Sequence, residues 1–420
     1  MSLLREITPK LKGLCVSAQD ILDSCAGQIT AEIEQGSEKS YKEVLNVSSA
    51  DFHRTGLKPI TFFRQVLATC FYPSLLTDES LPLDARERAQ RILAECEGGS
   101  IIQDSICKFI TKRDGVIPDP DKIYITNGSQ MSLIMVMKLL VQSEGSLKTG
   151  VLTPVPSHPT FNMAVAAQGG VVVPYYLCEE QGWGMQIEEL QRTVHMARGQ
   201  CNPTVLYLIN PGSPTGHVQS KDSIAEVIRF AAKEKLFLMI DEVHQDIVYG
   251  KGIEFYSYRR VLSEMGLPYS SSVELASFNS ISKSVMGECG LRGGYLELVN
   301  LDSLVIPYIQ KFFNTFTCGT LNGQIAVDEI QLIRSTISNN AQKTLEVLSG
   351  LPGISCQPVN GGIFAFPRLH LSQSAIKYAK EKQLELDLLY CLSLLEDEGL
   401  CVGAGFVHGQ KEGTTSGFAW

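Results

Sequence analysis

Four short apolar runs each end in polar residues whose types suit one bound heterocycle. KIYIT (122–126) leads into Asn127, Gly128, Ser129 and Gln130, and TVLYLI (204–209) leads into NPGSPTG (210–216). LFLMI (236–240) is followed by Asp241, Glu242, Val243 and His244. ELASF (274–278) is followed by Asn279, Ser280, Ile281, Ser282 and Lys283, with Arg292 further on in GECGLRGG. Ligands of open parallel sheets collect outside the carboxyl ends of the strands, where all of these residues fall. A pyridine ring acting as an electron sink needs a carboxylate beside its nitrogen, and Asp241, at a strand end in apolar surroundings, suits that task. A carbonyl on the ring needs a neutral amine to form a Schiff base, which a partly desolvated Lys283 supplies. A phosphate needs a helix N-terminus, hydroxyls and a forked cation, which Gly128, Ser129, Ser280 and Arg292 offer.

Each residue also has a plainer reading. A lone lysine is usually a solvated surface group, and an aspartate at a strand end is usually a cap. Arg292 has an alternative as a structural ion pair, and Ser129 and Gln130 as the start of an ordinary helix. His158 and His244 have one as polar strand-end residues. Cys289 reads as packing, and Met131, Met135 and Met137 read as core.

Seven apolar runs must position these groups: residues 122–126, 150–155, 170–177, 204–209, 236–240, 274–278 and 294–299. Continuous apolar runs, without strict alternation, predict strands buried on both faces of a mostly parallel sheet. Between two of them, Ile224, Val227, Ile228 and Ala231 make one apolar face at helical spacing, with Ser220 as N-cap. ARERAQRILAEC and QDSICKFITKRD predict two further helices within residues 84–114. The fold class is therefore α/β. Beyond about residue 310 the pattern turns to helices plus GISCQPVNGGIFAFP, read as a strand pair in a smaller α+β domain.

The 420 residues suffice for two domains, and 44% hydrophobic against 19% charged residues allows a sizeable core. A net charge of -9 argues against nucleic-acid binding. Twelve cysteines without CxxC pairs or metal-ligand spacing predict free thiols in a reducing compartment and no metal site. The start of the chain has neither a signal-peptide core nor transit-peptide character, and no apolar run reaches membrane-spanning length, so the expected location is cytoplasmic. No GxGxxG follows a strand, which removes the main argument for a nicotinamide-dependent dehydrogenase.

NPGSPTG, DEVHQDIVY (241–249) and SFNSISKSVMGECGLRGGYLEL (277–298) resemble the class I and II aminotransferases of pyridoxal-phosphate (PLP) fold type I. PITFFRQVLA (59–68), KRDGVIPDP (112–120), GISCQPVNGG (353–362) and GQKEGT (409–414), with GECG between Lys283 and Arg292, are most similar to the alanine aminotransferases. The resemblance implies a large PLP-binding domain at 61–310 with a mostly parallel sheet flanked by helices. It also implies that residues 1–60 form an N-terminal segment and part of the small domain, and that 311–420 form the C-terminal small domain, shorter than the family's. It assigns the Schiff base to Lys283, the ring-nitrogen partner to Asp241, and the phosphate to Ser280, Arg292, Ser129 and Gln130. The implied reaction passes the amino group of L-alanine to 2-oxoglutarate in a homodimer, with Lys283 shuttling the α-proton. Partners are thus an amino acid and a 2-oxo acid, with neither nucleic acid nor membrane.

This chain departs from the family at cofactor-contacting positions. Ser213 stands where an asparagine bonds the cofactor's phenolic oxygen, His244 where a tyrosine makes the companion bond, and His158 where an aromatic stacks on the ring. A tyrosine-bearing segment is missing between Ser100 and Ile101, the region after Cys318 looks shorter, and the end at GTTSGFAW comes before the family's carboxylate-binding arginine. Two readings follow: an active transaminase, or a catalytically impaired pseudoenzyme with the same fold, with or without PLP.

Overall fold

The computed structural model describes residues 18–48, 60–96, 101–142, 145, 147–283, 287–316, 320, 323, 335–409 and 418–419. After a two-residue strand, β1 (Leu45–Asn46), the chain builds a seven-stranded sheet. Its strands are β2 (Ile123–Thr126), β3 (Thr149–Val155), β4 (Val171–Tyr176), β5 (Asn202–Ile209), β6 (Phe237–Asp241), β7 (Leu275–Ser280) and β8 (Gly294–Val299). All seven apolar runs of the sequence are strands of this one sheet, in the order β2-β8-β7-β6-β5-β3-β4. Six run in one direction, and β8, wedged between β2 and β7, runs against them.

Both faces are covered, as the continuous apolar runs require. On one face Leu206, Leu208, Leu238, Ile240 and Leu275 pack against Ile224, Val227 and Ile228 of the helix Lys221–Glu234. That helix begins as expected, with the Ser220 hydroxyl accepting the Ser223 N–H at 3.2 Å. On the other face Val205, Tyr207, Met239, Ala276 and Phe278 pack against Leu133, Val136 and Met137 of the helix Ser129–Leu140. Each fully buried aliphatic or aromatic side chain contributes roughly 1.5–3 kcal/mol, so these two layers dominate the stability of the sheet. Met135 and Met137 are core as expected, whereas Met131 reaches solvent, because it lies on the outer side of its helix.

A separate cluster joins the two ends of the chain. Leu22, Ala26 and Ile29 of the helix Ala18–Glu34 pack against Leu388, Cys391 and Leu395 of the helix Leu386–Glu398. In the same region β1 pairs in parallel with Leu400–Cys401. The expected strand pair past residue 350 is shifted: β9 (Ile354–Ser355) pairs antiparallel with β10 (Arg368–Leu369), which lies beyond GISCQPVNGGIFAFP. Two prolines, Pro358 and Pro367, lack the N–H a ladder needs, and the strands form outside them. Among the described residues no helix is long and apolar enough to cross a membrane.

Candidate active site

The sheet brings three strand ends to one point. Gly294 opens β8 and is paired on one side with Ser280, the last residue of β7, and on the other with Thr126, the last of β2. A Cβ at 294 would lie 2.4 Å from the Asn279 carbonyl oxygen and 3.0 Å from the Gly128 Cα, so only glycine allows this closure.

The anion cradle is built around that junction. Gly128 takes φ +102° and precedes the helix Ser129–Leu140, leaving its first N–H groups open. A Cβ on Gly128 would sit 3.3 Å from Arg292 Nη2 and 3.7 Å from Ser280 Oγ, so the helix start, the guanidinium and the hydroxyl border one small space. Arg292 is fixed in turn: Nη2 donates to the Asn127 carbonyl at 3.1 Å, and Nη1 donates to the Cys289 carbonyl at 3.0 Å. Ser280 is buried; its Oγ donates to the Gly293 carbonyl at 3.3 Å and accepts the Ser282 N–H at 3.1 Å. Helix N–H groups, a hydroxyl and a forked cation around a cradle that a Cβ would fill are what a phosphate requires. Ser129 is half-buried there, and Gln130 is exposed on the first turn of the helix.

Asp241 closes β6, only 8% exposed, on the face that carries Tyr207, Met239 and Phe278. Its Oδ1 accepts the Val243 N–H at 3.3 Å, and its Oδ2 accepts the Tyr207 hydroxyl at 3.1 Å. Burial pushes its carboxyl up to about 6, against the pull of those two donors and of the Lys283 charge. Lys283, half-buried in the turn after β7, is pushed down by burial, with Cys289 and Asp241 acting the other way. The amine and the carboxylate therefore share one electrostatic setting, and the amine loses its proton more readily than a surface lysine.

Two histidines flank that amine. His244 is 2% exposed; burial first and Lys283 second hold its imidazole down to about 3, against a hydrogen bond with the Lys283 backbone. Among the described residues its buried Nδ1 has no hydrogen-bond partner, a cost that a bound group's polar atom would remove. His158 caps the helix Pro159–Gln168, its Nδ1 accepting the Thr160 N–H at 3.3 Å. It keeps an exposed edge, while its enclosed side and then Lys283 hold the ring below its ordinary value. The capping role and the nearness to Lys283 are thus both present.

Ser213 lines a small cavity with Pro154, Leu208, Thr215 and Gln219. Among the described residues no hydrogen bond joins it to Asp241, His244 or Lys283. Cys289, read as packing, is exposed, with its sulfur accepting from Arg292 Nη1 at 3.6 Å. The thiols described are free, as expected, and no cluster of metal-ligating side chains occurs among the described residues. Residues 98–100 and 410–417, where the sequence departs from its resemblance, lie outside the described residues.

Comparison with known proteins decides the family. The model for aminotransferase class I and II matches residues 88–412. The alanine aminotransferase 2-like protein of Danio rerio is 45% identical, over 93% of this chain and 76% of its own length. Alanine aminotransferase 1 of Homo sapiens is 40% identical, over 97% of this chain and 88% of its own. This chain belongs to the class I and II aminotransferases. It is an enzyme of a PLP-dependent family of transaminases. The fold agrees: an alanine aminotransferase from Pyrococcus furiosus superposes with a TM-score of 0.75 at 17% identity, covering 99% of this chain and 94% of that one. An Escherichia coli aminotransferase superposes equally well, with a TM-score of 0.75 at 19% identity, covering 99% of this chain and 93% of its own.

Sequence reasoning missed Tyr207, which holds the aminotransferase's Asp241, and Phe161, whose ring stacks on Tyr207 at 3.6 Å between centroids. One signal was available: a tyrosine inside an otherwise aliphatic run must find a partner for its hydroxyl once buried.

Proposed function

We propose that this aminotransferase transfers the amino group of L-alanine to 2-oxoglutarate, with PLP between Lys283 and Asp241, and that it works as a homodimer. The observation that carries the reading is the half-buried amine of Lys283 in the same setting as the buried carboxylate of Asp241, beside an anion cradle. The choice of alanine rests on relatives named alanine aminotransferase at 40–45% identity over most of the chain.

When bound, PLP supplies a carbonyl carbon for amines and a ring that withdraws electrons from the substrate's α-carbon. The residues of this chain do the rest. Helix N–H groups at Ser129 and Gln130, the Ser280 hydroxyl and the Arg292 guanidinium hold the phosphate and fix the depth of the ring. Asp241 keeps a proton at the ring nitrogen. Lys283, easily neutral because it is desolvated, would hold the cofactor through its amine and would serve as the base that carries a proton to and from the substrate's α-carbon. The unpartnered Nδ1 of His244 is available to a ring substituent, and His158 offers an imidazole edge beside the same amine.

Spectroscopy with purified protein tests this. A visible band of the lysine-bound cofactor is expected, absent from Lys283→Ala; L-alanine should bleach it and 2-oxoglutarate restore it. A band indifferent to every amino acid would overturn the transaminase reading in favour of a cofactor-holding pseudoenzyme. A band that survives in Lys283→Ala would overturn the assignment of the lysine.

A further inference from the structure

Tyr207 sits inside β5 on the same face of the sheet as Asp241 of β6. The register pairs Tyr207 with Met239 and Ile209 with Asp241, so the phenol reaches its carboxylate across the diagonal between neighbouring strands. The ring is 3% exposed and stacks on Phe161 of the helix Pro159–Gln168 with an interplanar angle of 17°. The Tyr175 hydroxyl donates to the Tyr207 carbonyl at 2.9 Å, anchoring the backbone beneath the ring. Ring and backbone are both fixed, and among the described residues the hydroxyl donates to Asp241 Oδ2, at 3.1 Å.

Asp241 needs that donor. A carboxylate on an apolar face favours its neutral form, and a neutral acid cannot hold a proton on a ring nitrogen. Val243 N–H supplies one oxygen and Tyr207 the other. Each carboxylate oxygen accepts more than one bond, so capacity remains for a ring N–H. We propose that Tyr207 is a positioning residue for transamination, acting through Asp241 to keep that carboxylate ionised and turned toward the ring nitrogen. The proposal rests on the reading that Asp241 meets that nitrogen.

Among the described residues, the charged and titratable groups facing Asp241 are Tyr207 from β5 and Lys283 from the turn after β7. Lys283 is in turn faced by Cys289, His158 and His244, and Tyr207 by Tyr175. Loss of the phenol donor raises the carboxyl further, so cofactor affinity should begin to fall at a higher pH as the solution is acidified. One neutral hydrogen bond corresponds to about one pH unit of this kind.

The experiment measures PLP affinity of the cofactor-stripped protein from pH 5.5 to 8.5, by fluorescence quenching, for the parent, Tyr207→Phe, Asp241→Asn and the double variant. The ratio of Tyr207→Phe to parent cancels the cofactor's own titration. It should be about threefold weaker at pH 6.5 and return to within about twofold at pH 8.5. In the Asp241→Asn background the second substitution should change nothing, because its route is gone. A ratio that stays flat across pH, or a loss that persists in the double variant, would make Tyr207 a packing residue and overturn the proposal. If Asp241→Asn itself leaves the parent's profile intact, the ring-nitrogen reading of Asp241 fails instead. Should Tyr207→Phe not fold, Phe161→Leu keeps the hydroxyl but frees the ring. It should move the same midpoint in the same direction by less, and an unmoved midpoint there counts against the proposal.

Discussion

Asp241 and Glu242 are neighbours in sequence and opposites in the fold. Alternation along the strand end sends Asp241 to the face with Tyr207 and Phe278, and Glu242 to the other face, under Tyr258 and Ser277. Burial raises both carboxyls, to about 6 at Asp241 and about 7 at Glu242. Their surroundings then diverge. Glu242 is 0% exposed; Oε1 accepts the Tyr258 N–H at 2.9 Å and Oε2 the Ser277 hydroxyl at 2.6 Å. The cation acting on it is Arg113, a permanently charged guanidinium that also pairs with Asp114 at 2.5 Å. Asp241 faces an amine that can lose its proton, near an imidazole with an unpartnered nitrogen. A buried carboxylate is therefore not in itself a mark of chemistry. What sets Asp241 apart from Glu242 is the company of groups able to change protonation.

The sharpest way to break this comparison is to remove the labile amine. Lys283→Ala should lower turnover by roughly 10²–10⁴-fold or more, measured in a coupled pyruvate assay, with melting temperature little changed. Glu242→Gln should do the reverse, leaving turnover within a few-fold while altering stability. Next comes the cradle: Gly128→Ala forces a side chain into φ +102° and against Arg292, and should weaken PLP binding by roughly tenfold in equilibrium dialysis.

The acid–base behaviour of the cofactor-stripped protein separates the two carboxyls more finely. Each has a folded value above its ordinary one, so folding favours the protonated form, and stability is lost as pH rises from the ordinary value through the folded one. For Asp241 that window runs from about 4 to about 6, and for Glu242 from about 4.5 to about 7. Asp241→Asn should flatten the lower part of the decline in denaturant titrations, by on the order of 2–3 kcal/mol, and leave the part between pH 6 and 7 to Glu242. The smallest effect is far from either group: Ser220→Ala removes a helix cap and should cost about 1 kcal/mol without touching activity.

Much of this was legible in the sequence, for identifiable reasons. Seven strands are built on continuous apolar runs because helices cover both faces, and such runs look the same wherever they occur. Asp241 and Lys283 stood out because a strand end is where a parallel sheet meets its ligands. Tyr207 did not, because its role depends on how β5 and β6 are aligned, which composition does not contain. The direction of β8 was hidden likewise, since parallel and antiparallel buried strands share one residue pattern. Met131 and Cys289 were read as interior from residue type alone, and the orientation of a helix and a loop decided otherwise.

The reversed strand β8 has a consequence for how this active site can vary. Because β8 starts beside the end of β7, with Ser280 paired to Gly294, Lys283 and Arg292 both belong to the connection of a single hairpin, and the proposed amine and phosphate clamp share that anchor. Lengthening or shortening that hairpin would retune the reach of both groups at once, so such changes should be tolerated only in compensated pairs, whereas the loop carrying Asp241 can be altered independently.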